Sequence, residues 1–172
     1  MKRNRKIIVY IARADESFDW LDRPRPRGNY GMGAFFASID TILWGRKTYD
    51  QALTMGGVGG FGPKVKNYVF THRPPKSPAA DVEFVNEPIG PFAKRLRKQP
   101  GKDIWMMGGG GVIASFLDAG QIDEFSIHVI PVLIGEGIPL IAPGRRTVPL
   151  RLLSTRRFPD GVVHLNYSTR RR

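Results

Sequence analysis

The stretch Asp103-Ile104-Trp105-Met106-Met107-Gly108-Gly109-Gly110-Gly111-Val112-Ile113-Ala114-Ser115-Phe116-Leu117 constrains the fold more than any other part of this chain. A buried, apolar strand meets four consecutive glycines and then an apolar run with helical character. One glycine is enough to turn a strand into a helix. Four let the backbone come close to an anion at the point where a new helix offers unpaired N–H groups and the positive end of its dipole. The junction is therefore a candidate phosphate site, with a tight strand-to-helix turn as the simpler alternative.

The rest of the chain repeats this strand-then-helix pattern. Residues 6–12 (Lys-Ile-Ile-Val-Tyr-Ile-Ala) are apolar and rich in β-branched side chains, as expected of a central strand covered on both faces. Residues 41–45, 67–71 and 103–107 have the same character, and 82–85 alternate like a less covered strand. Helices are expected at 32–39, at 48–55 with Thr48 as cap, around Ile89, Phe92, Ala93 and Leu96 with Pro91 in the first turn and Gly101 as the end, and at 110–119 with Val112, Ile113, Phe116 and Leu117 buried. The glycine tract at 56–63 reads as a loop within one domain. Strands at 123–133, 150–157 and 162–168, the last two joined by Phe158-Pro159-Asp160-Gly161, make the final third antiparallel. The expectation is a single α/β domain over residues 1–172 with basic tails at 1–6 and 170–172. Its central sheet is mostly parallel and flanked by helices, and it ends in an antiparallel strand hairpin.

Composition removes several classes of function. Without cysteine there is neither a thiol nucleophile nor a thiolate metal ligand, and nothing points to an oxidising compartment, so the cytoplasm is the default. No serine sits in a Gly-x-Ser-x-Gly elbow. His72, His128 and His164 lack paired metal-ligand spacing, so no metal is expected. The apolar run 7–12 is too short for a signal peptide or membrane span. A net charge of +12 invites nucleic acid, but much of it lies in the two tails and no nucleic-acid motif accompanies the remainder. The charge still favours a phosphorylated ligand.

The tetraglycine is neither a P-loop, since no Gly-Lys-Ser/Thr follows, nor a Gly-x-Gly-x-x-Gly fingerprint. It has a counterpart in Gly45-Arg46-Lys47-Thr48-Tyr49, which also follows a strand and opens a helix. Thr71-His72-Arg73 closes a third strand at the same sheet edge and offers a hydroxyl and a guanidinium suited to a terminal phosphate. A ligand with well-separated phosphates fits such an edge. His128 shares a strand face with Glu124 and Ser126.

Three motifs together resemble a known family. They are Thr41-Ile42-Leu43-Trp44-Gly45-Arg46-Lys47-Thr48-Tyr49, then Gly101-Lys102-Asp103-Ile104-Trp105-Met106-Met107-Gly108-Gly109, then Ile122-Asp123-Glu124-Phe125 through Ile130-Pro131-Val132-Leu133-Ile134-Gly135-Glu136-Gly137-Ile138-Pro139-Leu140. Their order and spacing resemble the dihydrofolate reductase-like fold, in the branch related to the reductase domain of the bifunctional riboflavin-biosynthesis deaminase-reductase. The resemblance implies an oxidoreductase that uses NADPH to reduce a C=N or C=O bond in a small heterocycle, pteridine-like or aminopyrimidine-like. It implies that Gly45, Arg46, Lys47 and Thr48 approach the cofactor phosphates and that Met107, Gly108, Gly109, Gly110, Gly111, Val112 and Ile113 wrap the pyrophosphate. Thr71, His72 and Arg73 would then meet the adenosine 2′-phosphate, and Ala12 would lie beside the nicotinamide. A cis peptide between Gly108 and Gly109, a substrate-side position for His128, and a homodimer formed through the C-terminal strands with apolar surface from 129–140 are further implications. The chain departs from the pattern after Ala12, where Arg13-Ala14-Asp15-Glu16 shortens the usual loop and leaves Asp15 or Glu16 as candidate proton donors. Two other readings stand beside this one: a non-catalytic NADPH- or nucleotide-binding module, and a basic nucleic-acid-associated protein.

Overall fold

A computed structural model describes residues 17, 19–21, 27–56, 65–75, 82–134 and 137–169. The expected strand at 6–12, the two basic tails and most of the 56–63 tract lie outside the described residues. The remainder runs α1 (Met32–Ser38), β1 (Ile39–Gly45), α2 (Arg46–Thr54), β2 (Lys66–Phe70), β3 (Val82–Val85), α3 (Ile89–Lys98), β4 (Asp103–Gly108), α4 (Gly110–Asp118), β5 (Glu124–Val129), β6 (Arg151–Arg157) and β7 (Val163–Ser168). β3-β2-β1-β4 form a parallel four-stranded sheet, and β5-β7-β6 form an antiparallel three-stranded one.

The parallel sheet is covered on both faces, which explains its uninterrupted apolar strands. Along β1, Leu43 turns to one core with Tyr68, Phe92, Ile104, Met106, Ile113 and Phe116, while Ile42 and Trp44 turn to the other with Tyr49, Val69 and Trp105. The buried Trp44 indole is satisfied by donating from Nε1 to Asn67 Oδ1 at 2.9 Å. Such a sheet brings the C-terminal tips of β1, β2, β3 and β4 to one edge, each followed by a turn or a helix.

Several helix ends differ from the sequence expectation for identifiable reasons. Thr48 does not cap α2; the helix starts directly off the strand at Arg46, with Gly45 as its N-cap and no side-chain cap. α3 buries Phe92, Ala93 and Leu96 but stops at Lys98 rather than running to Gly101. Pro100 excludes the helical region for the residue before it, and Gln99 accordingly sits at φ −72°, ψ 144°. Ile39 belongs to β1 instead of α1, and α4 ends one residue early at Asp118 with Gly120 in the left-handed region at φ 63°. β5 reaches only Val129, well short of residue 133, because Pro131 has no N–H for a ladder. The β6–β7 hairpin turns at Phe158-Pro159-Asp160-Gly161 as expected, with the Phe158 N–H donating to Val162 O at 2.9 Å and the Gly161 N–H to Phe158 O at 3.1 Å. Among the described residues no helix is long and apolar enough to cross a membrane.

Candidate functional site at the strand tips

The two strand-to-helix junctions named by the sequence lie against each other. Trp44 is the register partner of Gly108. A Cβ placed on Gly45 would stand 3.1 Å from Gly108 O and 3.4 Å from Val112 Cγ1, so glycine is what lets β1 and β4 end side by side. The chain turns out of β4 through two successive positive-φ residues, Gly108 at φ 126° and Gly109 at φ 68°. The cis peptide expected between them is absent: the described residues contain none, and the two glycine conformations make the turn with trans bonds.

The four glycines divide their tasks. Gly109 caps α4, and a Cβ there would lie 3.2 Å from Thr48 Oγ1, which places Thr48 in the seam between the two helix starts. Gly110 is buried against the segment after β5; a Cβ would stand 2.6 Å from Pro139 O, and the Ala142 N–H donates to Gly110 O at 2.9 Å. Gly111 is exposed with open space around its Cα. Neither α2 nor α4 has a side-chain N-cap, so the first-turn N–H groups of both helices are left for a ligand or water.

These junctions border a cleft of about 680 Å³ lined by Gly45, Arg46, Lys47, Thr48, Thr71, His72, Gly111, Val112 and Ser115 together with Phe70, Val85, Asn86, Glu87, Pro88 and Ile89. Arg73 stands beside it, its carbonyl oxygen accepting from Arg46 Nη1 at 3.0 Å. The loop after β2 is held by the Thr71 N–H donating to Val85 O at 3.0 Å, the Arg73 N–H donating to Thr71 Oγ1 at 3.1 Å, and a 2.8 Å hydrogen bond between His72 Nδ1 and Asn86 Oδ1. Of the residues named from the sequence, Met107 packs against the Trp105 core on the sheet, and Ile113 is fully buried with its N–H on Gly109 O at 3.2 Å. Neither side chain is part of the cleft wall. Val112, expected to be buried, is half-buried and forms part of that wall. The contribution of residues 86–89 to this cleft escaped the sequence motifs. The available signal was that β3, parallel to β2, must end at the same edge and deliver residues 86–89 there.

Ala12, Asp15 and Glu16 lie outside the described residues. His128 is placed away from the cleft lining, stacked on His164 with ring centroids 4.4 Å apart and planes 4° apart. Tyr30 meets its edge at 5.8 Å and donates from its hydroxyl to Asp160 Oδ2 at 2.5 Å. Burial, and then the neighbouring His164, push the His128 imidazole down to about 4. His164, within 2.6 Å of Ser126 Oγ, is lowered by burial and then by Arg156.

A parallel sheet with helices at its faces, an antiparallel C-terminal sheet and a ligand-sized cleft at the strand tips define an α/β protein of the dihydrofolate reductase-like fold. Residues 10–164 match the RibD C-terminal domain family, and the chain belongs to that family. It is 36% identical over 171 residues to the uncharacterized protein YwjB of Bacillus subtilis (strain 168), covering 95% of this chain and 97% of that protein. A candidate riboflavin biosynthesis protein from Shewanella sp. PV-4 superposes with a TM-score of 0.83 at 23% identity, over 96% of this chain and 99% of that one. The diaminohydroxyphosphoribosylaminopyrimidine deaminase/5-amino-6-(5-phosphoribosylamino)uracil reductase of Thermotoga maritima superposes with a TM-score of 0.69 at 13% identity, over 96% of this chain and 56% of that one. At these identities the two structures speak to the fold alone.

Proposed function

We propose that this chain is an NADPH-dependent reductase acting on a small heterocycle of the pteridine or aminopyrimidine kind. The observation that carries the reading is the convergence of three strand tips and two uncapped helix N-termini on one cleft. Reductases of the RibD C-terminal type use NADPH. The residues present fit such a cofactor. Open space at Gly111 and the free N–H groups of α2 and α4 suit a pyrophosphate, Arg46 and Lys47 supply positive charge, and Phe70, Val85, Ile89 and Val112 supply the apolar wall that a base needs. Thr71, His72 and Arg73 are the proposed contacts to the additional phosphate that separates NADPH from NADH, Thr71 and His72 lining the cleft and Arg73 following them in the same loop.

Bound there, the cofactor supplies a hydride, and the chain's own work is placement and exclusion of water. Gly45 and Gly109 keep the two helix starts close enough to grip one ligand, and Arg46 ties the loop after β2 to α2. Asp15 and Glu16 remain the proposed proton donors, Ala12 the proposed neighbour of the reacting ring, and His128 a proposed substrate contact. Titration with NADPH and NADH, followed through the tryptophan fluorescence, tests the reading. We expect about tenfold or greater preference for NADPH, the worth of one charge-assisted contact set. Equal affinity, or no binding of either, contradicts it.

We further propose that the chain pairs with a second copy through its C-terminal sheet. Among the described residues β6 is an edge strand, and all seven of its residues are exposed, Leu152 at 50% and Leu153 at 37%, with Leu150 exposed immediately before it. An uncovered edge with apolar side chains is a pairing surface.

A further inference from the structure

We propose that Asp50 is a positioning residue that sets the cofactor choice by holding Arg46 on the lining of the cleft, against the backbone carbonyl of Arg73. The inference rests on the dinucleotide reading above. Arg46 Nε lies 2.8 Å from both Asp50 carboxylate oxygens, and Nη1 donates to Arg73 O at 3.0 Å. The guanidinium carbon lies 5.9 Å from the centre of the Phe84 ring. The side chain is thus fastened at both ends, to its own helix and to the loop after β2, while Nη2 makes no hydrogen bond among the described residues. Arg46 lines the cleft and Asp50 does not, so the carboxylate can touch a ligand there only through the guanidinium it holds.

Helix stability does not account for the pair. Arg46 is the first residue of α2, where a cation opposes the helix dipole, and an Arg followed four residues later by Asp is the less favourable order. With side-chain exposures of 37% and 47%, the pair contributes little to folding. What it does accomplish is to keep a cation on the cleft lining, oriented by the carboxylate and tied to the segment expected to meet the extra phosphate of NADPH. A planar guanidinium gains specificity for phosphate from such orientation.

The test is Asp50→Asn in the full chain, titrated with NADPH and with NADH and melted in parallel. Removing a negative charge beside the cleft strengthens anion binding if only the field matters, whereas loss of orientation weakens it, so the two accounts predict opposite signs. We expect NADPH affinity to fall about 5- to 10-fold, NADH affinity to stay within about twofold, and the melting temperature to be unchanged. Asp50→Glu, which restores the carboxylate one bond further out, should recover most of the preference. NADPH affinity that is unchanged or tighter in Asp50→Asn overturns the inference, as does equal weakening of both dinucleotides with a lowered melting temperature. If the unaltered chain binds neither dinucleotide, the reading beneath it falls first and takes this inference with it.

Discussion

The four glycines of 108–111 are alike in composition and different in what holds them. Gly108 and Gly109 are required by backbone conformation, Gly110 by the carbonyl of Pro139, and Gly111 by neither. Alanine at position 110 must displace backbone atoms of the 139–142 segment, so Gly110→Ala should lose about 1–3 kcal/mol in a urea midpoint experiment. Gly111→Ala meets open space in the first turn of a helix and should leave stability unchanged or slightly raised, since alanine is favoured over glycine in a helix by up to about 1 kcal/mol. Equal losses in the two variants would mean that Gly110 is not packed as described. The histidine pair gives a second prediction at this scale. His128 titrates at about 4 in the fold and near the ordinary imidazole value when unfolded, so both states are neutral above about 6.5 and this contribution to stability is complete there. Between about 6.5 and 4 the unfolded chain binds a proton that the fold refuses, and stability falls with pH. His128→Gln should therefore flatten the urea midpoint between pH 7 and pH 4.5 relative to the unaltered chain, part of the slope persisting through His164. Parallel slopes would show that His128 is not held neutral.

At the scale of elements, the sequence was legible wherever a strand had to be apolar on both faces or a helix had to hide one stripe. β1, β2, β4, α3 and α4 lie where periodicity puts them. The boundaries moved where a neighbouring residue overruled the pattern: Pro100 cut α3 short, Pro131 ended β5, and the absence of any connecting loop let α2 begin on Gly45 rather than behind Thr48. Hydroxyl-before-helix is a sound cap signal only when the chain has room for a cap, and here the strand runs straight into the helix. Among the described residues β6 is the strand whose fold gives it least to do, since there it pairs only with β7 and buries none of its residues. If a second copy covers it, Leu152→Lys should convert a dimer to a monomer in light scattering after size exclusion while leaving the far-UV spectrum intact. A monomer before substitution, or a dimer that survives it, would assign β6 no part in assembly.

For the whole molecule, the order of strands and helices was enough to place three phosphate-compatible junctions at one edge, because parallel strands with helical crossovers must all point their tips the same way. What the order could not reveal was which atoms of a junction face the cleft and which face the core. Ile113 and Met107 sit inside the motif yet turn inward, while Asn86 and Glu87 sit in no motif and reach the cleft from β3. Nor did spacing show that Arg46 would be fastened to Asp50 and to the Arg73 carbonyl at once, a contact between segments 27 residues apart. Whether the three segments meet on one ligand is tested by following backbone amide resonances by NMR as NADPH is added. The largest shifts should fall on residues 45–48, 71–73 and 108–112 together, saturating with one affinity. Shifts confined to the exposed β6 edge or scattered over the basic surface, with those three segments unmoved, would contradict a shared site.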